Sequence, residues 1–314
     1  MIQADLFNKL GMTRSYTSAP KNVSNAILPG GLDASGFAFD WGNEAPTGGY
    51  LSTQCDLVRL GQSILSSSLL SHVVTREWMK PVTHTSTTIA SVGRPWEIWR
   101  SINLTDHVVD LYTKEGDIPN YTTLLVLIPD FKIGFVVLGA GTSAHNTVLH
   151  VSDIIVTRVL PALDKTARQQ AQEKYAGTYS STDPALNSSI TITTQAGQAG
   201  LYVQSWISNS TDLLHLAVPE IEGDDSGMDI RLYPTNLDQR TSKNTQRVSF
   251  RGVFETRDTV PDGGVFSQDC ATWSYQNSNQ YGAVGVDEFL FNVQDDKVVS
   301  ITPRGLRVTL ERSR

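Results

Sequence analysis

The sequence predicts an α+β fold in which a partial antiparallel sheet with helices is followed by a small all-β domain, sandwich or barrel. Three observations carry this. Helix-spaced apolar residues flank a stretch of extended character in the front half. Two apolar runs, 122–128 and 133–138, are joined by the turn sequence Pro129-Asp-Phe-Lys132, as in neighbouring antiparallel strands. Beyond Tyr175, short alternating runs are separated by clusters of Gly, Asn, Asp and Ser, the texture of a small antiparallel sandwich or barrel.

The elements follow in order. Residues 1–51 are loop-rich, with turns at Pro29-Gly30-Gly31 and Pro46-Thr-Gly-Gly49. A helix follows: Ser52 and Thr53 are good caps, Asp56 falls in the first turn, and Leu57, Leu60 and Ile64 share one face. A second short helix over 74–79 stops before Pro81. Residues 96–102 and 107–113 read as strands, being rich in aromatic and β-branched side chains. The near-continuous apolarity of 122–128 and 133–138 predicts a sheet covered on both faces. Ser143 can cap a further helix, whose apolar stripe of Val151, Ile154, Ile155 and Val159 precedes Pro161. The polar, helix-favouring stretch 165–174 reads as a connector, so the expected domains are 1–163 and 164–314. In the rear domain the expected strands are 189–194, 201–205, 230–233, 248–254, 289–293 and 306–310.

Composition narrows the partners. The 314 residues are 39% hydrophobic and 18% charged, enough for a packed core. Lys+Arg is 25 against Asp+Glu 32, a net charge of −7, and no basic run interleaved with aromatics occurs; nucleic acid is not an expected partner. The best candidate for a membrane span, 124–138, is broken by Pro129, Asp130 and Lys132, so no membrane partner is expected. Met1-Ile-Gln-Ala-Asp5 has neither the charged nor the apolar region of a signal peptide. Glycosylation sequons at Asn22, Asn103, Asn120, Asn187 and Asn209 point the other way, toward export. Cys55 and Cys270 either pair in an oxidising compartment or remain two buried free thiols, and two cysteines so far apart form no metal site on their own.

Three stretches, in order, carry a family resemblance. Leu6-Phe-Asn-Lys-Leu-Gly-Met12 resembles the F-x-P-L-G-M segment of class-C-type β-lactamases and related esterases. Gly48-Gly-Tyr-Leu-Ser-Thr-Gln-Cys-Asp-Leu57 resembles their A-G-G-L-x-S-T-x-x-D-L helix entry. Tyr112-Thr-Lys-Glu-Gly116, followed by Tyr121, resembles the strand bearing their K-[TS]-G triad. In the rear domain, Tyr175-Ala-Gly-Thr-Tyr179 and Tyr281-Gly are similar to the β-rich C-terminal domain of fungal members. The chain is thus identified as the back portion of a β-lactamase/penicillin-binding-protein-like serine hydrolase. The resemblance implies a small-molecule ester or amide substrate, no cofactor and no metal. It also implies that the family's S-x-x-K and Tyr-x-Asn motifs, which supply nucleophile and base, lie ahead of the block at Leu6.

The candidate site residues follow from the third block. Lys114 is the expected catalytic residue: a lysine there raises the local positive potential, which holds a substrate carboxylate and eases deprotonation of a hydroxyl. Gly116 and Tyr121 are the expected substrate-binding residues, the glycine because it allows close backbone approach. The middle position is Glu115, where the family carries Thr or Ser; its charge repels a substrate carboxylate. The competing reading of this segment is a solvated Lys/Glu pair at a strand end.

Other matches lack context. Ser18-Ala-Pro-Lys21 satisfies S-x-x-K literally, but Pro20 biases Ala19 away from helix, and the chemistry needs Ser and Lys one helical turn apart. Tyr275-Gln-Asn277 falls in the rear domain, far past Lys114. Gly223-Asp-Asp-Ser-Gly227 lacks the closing Glu of a calcium loop. His107, His145 and His150 are scattered, with His145 close to a domain rim near Gly141, and Trp96, Trp99 and Trp206 read as core.

Overall fold

The first fifty residues hold short helical pieces: a π-helical turn, Gln3–Phe7, running into α1 (Asn8–Leu10), then α2 (Leu32–Ser35), a 3₁₀ turn Gly42–Glu44 and a second π-helical turn Ala45–Gly49. The computed structural model describes residues 1–215, 227–256 and 276–313, in two compact units, Met1–Asp164 and Lys165–Arg314. Tyr275, Cys270 and the turn 223–226 therefore lie outside the described residues.

In the front unit, α3 (Gln54–Leu65) begins where Thr53 Oγ1 accepts from Asp56 N at 3.3 Å, a side-chain cap for a backbone donor with no helical partner. α4 (His72–Trp78) begins two residues earlier than expected because Ser71 Oγ caps Val74 N at 3.3 Å. Six antiparallel strands follow: β1 (Thr83–His84), β2 (Ala90–Val92), β3 (Glu97–Ser101), β4 (Val109–Ile118), β5 (Tyr121–Ile128) and β6 (Ile133–Ala140), paired in chain order. Side chains alternate between the two faces. One face of β3–β5, with Ile98, Leu127 and Leu125, packs with Ile64 and Leu60 of α3 and with Met79 and Trp96. The other, with Val109, Leu111, Leu124, Val126 and Ile128, packs on Val148 and Leu160. Both faces of β5 are covered, which is why it reads as a continuous apolar run; β6 lies at the sheet edge, with Val136 buried and Leu138 41% exposed.

Val148 and Leu160 belong to α5 (Ala144–Tyr175), and here two expectations are corrected. The helix continues through Pro161 instead of ending before it. Leu160, fully buried just ahead of the proline, and Ala171 and Tyr175, packed on the rear core, hold the segments on either side, which offsets the missing hydrogen bond and steric cost of an interior proline. The buried stripe is Ala144, Val148, Ser152 and Leu160, whereas Val151 and Ile154 are exposed, Ile154 at 62%. Gly139 fixes that face: a Cβ there would sit 2.7 Å from Val148 Cγ2 and 3.2 Å from Ala144 O, so β6 and α5 approach as only glycine permits. Trp96 is core as expected, but Trp99, on β3, is 53% exposed. Cys55 is exposed, not a buried thiol.

The rear unit is a closed barrel. Its strands are β7 (Gly177–Ser180), β8 (Ser189–Thr193), β9 (Leu201–Ser208), β10 (Thr211–Asp212), β11 (Met228–Arg240), β12 (Thr245–Thr256), β15 (Glu288–Gln294), β16 (Lys297–Pro303) and β17 (Leu310–Arg312), with a separate hairpin of β13 (Gln280–Tyr281) and β14 (Val284–Gly285). Among the described residues, nine strands form the large sheet; β10 hangs on β9, and the other eight close into a ring through the β8–β9 pairing. Closure removes the unpaired edges that an open sheet would leave. Tyr179, Ile190, Trp206, Phe289, Phe291 and Ile301 fill the core. The expected strand over 306–310 starts later, at Leu310, because Arg304–Leu306 forms a 3₁₀ turn that ends on Arg307 at φ 56°. Tyr179 Oη donates to Tyr175 O at 2.7 Å, and burial pushes its pKa up to about 12.

Candidate functional site

Lys114, Gly116 and Tyr121 all lie on one face of the β4–β5 pair. Lys114 and Gly116 are two apart on β4, and Tyr121 stands opposite Ile118, so alternation directs all three to the side that carries α3. Three local features shape their surroundings. Lys114 Nζ makes an ion pair with Glu97 Oε1 on β3 and donates to Glu115 O at 2.8 Å. The other Glu97 oxygen accepts from Glu115 N at 2.8 Å. Glu97 thus clamps the backbone and the amine of this strand together, and it neutralises much of the positive potential that Lys114 would otherwise project. Gly116 leaves room at Thr123: a Cβ would meet Thr123 Oγ1 at 2.8 Å.

Tyr121 is committed to the loop over the β4–β5 turn. Its Oη donates to Ile27 O at 2.8 Å, and its ring lies 6.4 Å from that of Phe37. The neighbouring Asn120 Nδ2 donates to Ala34 O at 3.1 Å, which fixes the same loop.

The opposite face of β4 carries a second polar group. Glu115 and Asp117, again two apart, meet His145 from the start of α5: Nδ1 is 3.1 Å from Glu115 Oε1 and 3.5 Å from Asp117 Oδ2. The approach to Glu115 is close enough for an ion pair but not angled for a hydrogen bond, so the buried Oε1 has no hydrogen-bond partner. Thr122 Oγ1 donates to Asp117 Oδ1 at 2.5 Å and fixes that carboxylate. The strand expected over 107–113 runs on to Ile118, which places Glu115 and Asp117 on one face, and no sequence pattern joined them to His145.

Ahead of β4, His107 lies between Asp130, 3.7 Å from Nε2, and Asp164, 3.6 Å from Nδ1. Asp130 is the main reason its pKa is raised, with partial burial opposing and Asp164 and Asp106 adding to the rise.

The first two resembling blocks meet at Asp56. Buried at 1% exposure, its Oδ2 accepts from Arg14 N at 2.8 Å and Ser15 Oγ at 2.9 Å. Its Oδ1 accepts from Arg59 Nη1 at 2.7 Å, and the same guanidinium nitrogen donates to Gly11 O at 3.1 Å. The residues after the Leu-Gly-Met segment and the entry of α3 are therefore one hydrogen-bonded unit. Ser18 lies in an exposed bend outside any helix, and among the described residues no helix holds a serine one turn ahead of a lysine in the Ser-x-x-Lys pattern.

Residues 167–314 match the family model described as "Beta-lactamase-like-like, C-terminal domain". Over 94% of the chain the sequence is 26% identical to a "Beta-lactamase-like protein" of Arthroderma benhamiae, covering 53% of that protein. It is 26% identical over 68% of the chain to "Probable hydrolase clz13" of Cochliobolus lunatus, covering 34% of it. The chain therefore spans about half or less of the length of these relatives. Among solved structures, the octameric penicillin-binding protein homologue from Pyrococcus abyssi aligns with 98% of this chain and 58% of its own, at 16% identity and a TM-score of 0.39. The ordered motif blocks joined through Asp56, and a C-terminal domain that matches by sequence, make the chain similar to β-lactamase-like proteins.

Proposed function

We propose that this chain is the rear part of a β-lactamase-like serine hydrolase that transfers an acyl group from a small ester or amide through an acyl-serine intermediate. The observation that carries the reading is the placement of Lys114, Gly116 and Tyr121 on one face of a central strand pair, in a chain whose relatives bear hydrolase names. In this reading the serine nucleophile and its lysine, and the later Tyr-x-Asn, come from sequence ahead of the Leu6 block. Lys114 supplies positive potential beside the reacting hydroxyl and the substrate, Gly116 lets the substrate backbone or acyl group approach β4, and Tyr121 borders the pocket. In this reading the protein belongs to a fungal biosynthetic or secreted hydrolase set, as the resemblance to fungal family members implies.

A second reading, a non-catalytic binding protein on the same fold, is favoured by one observation: the amine of Lys114 is paired with Glu97 and not free. One experiment separates the two. This chain and a version extended upstream to the length of the relatives are each treated with a fluorophosphonate probe and weighed intact. The hydrolase reading expects one adduct on the extended protein and none on the chain. Labelling of the chain itself would overturn the assignment of the nucleophile to upstream sequence and direct attention to Ser18. Absence of labelling on both would leave the binding reading in its place.

A further inference from the structure

We propose that Glu115, Asp117 and His145 form a site for a divalent transition metal of the zinc class, on the face of β4 opposite Lys114. Among the described residues this is the one place where three His, Cys, Asp or Glu side chains bring a ligand atom each within 4.8 Å of one another.

The geometry suits a metal. Zinc bonds imidazole nitrogen and carboxylate oxygen at about 2.0–2.2 Å, so two ligands of a tetrahedral ion stand about 3.3–3.5 Å apart. The observed separations from His145 Nδ1 are 3.1 Å to Glu115 Oε1 and 3.5 Å to Asp117 Oδ2. All three ligand atoms lie within 4.8 Å of one another, and the two separations from the imidazole already match those of a tetrahedral ion.

Two further observations point to a ligand. Glu115 Oε1 is buried and accepts no hydrogen bond, although it faces the imidazole; a carboxylate oxygen in that position carries a desolvation cost that no hydrogen bond offsets. Asp117 is held by Thr122 from its far side, Oγ1 to Oδ1 at 2.5 Å, which leaves Oδ2 toward His145. That is the arrangement of an outer partner orienting a ligating carboxylate. The ligands sit on a central strand and a helix start, not on loops, which favours a defined geometry.

Charge and donor type select the ion. Two carboxylates here share one histidine, and a divalent ion balances both where an imidazolium balances one. One imidazole with two carboxylates suits zinc and its first-row neighbours; calcium takes six to eight oxygens, which this face does not offer. The Glu at the middle of Lys-Glu-Gly, where the resemblance implies Thr or Ser, supplies one of the three donors. The three donors belong to no spaced motif, so the sequence pattern alone does not bring them together.

The test uses the metal-free chain titrated with Zn²⁺ alone by calorimetry, and with Co²⁺ followed by visible absorption. The proposal expects one equivalent of zinc and a cobalt spectrum of low coordination number. His145→Ala and Asp117→Asn each weaken binding by about tenfold or more with unchanged far-ultraviolet circular dichroism, and His150→Ala leaves it unchanged. Absence of heat and of a cobalt spectrum with metal in excess would overturn the proposal. So would binding of full strength in both His145→Ala and Asp117→Asn, which would place an adventitious ion elsewhere on the chain.

Discussion

Asp56 and Ser15 lie 41 positions apart and meet at 2.9 Å, Oδ2 to Oγ, inside the front unit. Ser15 Oγ also lies 2.8 Å from Ser52 Oγ, so this carboxylate holds the segment after Leu-Gly-Met against the entry of α3. Hydrogen bonds to a charged acceptor contribute about 1.5–3 kcal/mol, and removing the acceptor leaves buried donors unpaired. Asp56→Ala is expected to lower the stability of the front unit by about 2–3 kcal/mol. Urea unfolding followed by tryptophan fluorescence measures it. A loss below about 1 kcal/mol, within the range of an ordinary surface change, would show that Asp56 does not anchor this segment.

Gly139 tests the contact between β6 and α5. A valine Cβ would overlap Val148 Cγ2 at 2.7 Å, an apolar atom in the core, and Ala144 O at 3.2 Å, a backbone atom with little freedom to move. Overpacking of this kind costs about 1–3 kcal/mol. Gly139→Val is expected to fall in that range, and Val148→Ala in the same chain is expected to recover part of the loss by opening the space. Thermal unfolding of the two single variants and the double variant gives the coupling directly.

His107 gives a dependence on pH. Its folded pKa is raised, chiefly by Asp130, so its contribution to stability is fully present below the unfolded value of about 6.5 and is lost as pH rises through the folded pKa. The side chain is 39% exposed, and solvent screening keeps the contribution under about 1 kcal/mol. His107→Gln is expected to lie below the parent in melting temperature at pH 5.5 and to converge with it at alkaline pH. A difference that grows as the pH rises would reverse the sign and refute the ion-pair origin.

How far the sequence could be read depended on where each residue's partners lie along the chain. The β5–β6 pair was legible almost to the residue, because both strands are apolar runs, β5 buried on two faces, and a four-residue turn sets their register. The cap at Thr53 was legible because its acceptor and donor are three residues apart. α5 was misjudged at Pro161 because the packing that outweighs the proline comes from Leu160 and Tyr175 against separate cores, which no local pattern reports. The same limit applies at the site. The common face of Lys114 and Gly116 follows from strand period alone, whereas Glu97 is 17 positions from Lys114 and the acceptor of Tyr121 is 94 positions away. His145 reaches Glu115 only because of the turn between β6 and α5.

The pairing of Lys114 with Glu97 separates a structural role from a catalytic one. Both side chains are well exposed, 45% and 40%, and such pairs contribute about 0.2–1 kcal/mol. Lys114→Met is therefore expected to change the stability of the front unit by less than about 1 kcal/mol. If Lys114 supplies potential to a reacting serine, the same substitution in the upstream-extended protein lowers the rate of fluorophosphonate labelling by about 10²-fold, the scale of losing one electrostatic group at an active site. Glu97→Gln removes the competing charge and moves labelling the other way, to a faster rate. Equal labelling rates in all three proteins, with stability changed by the pair's usual fraction of a kilocalorie, would reduce Lys114 and Glu97 to a solvated pair at a strand end.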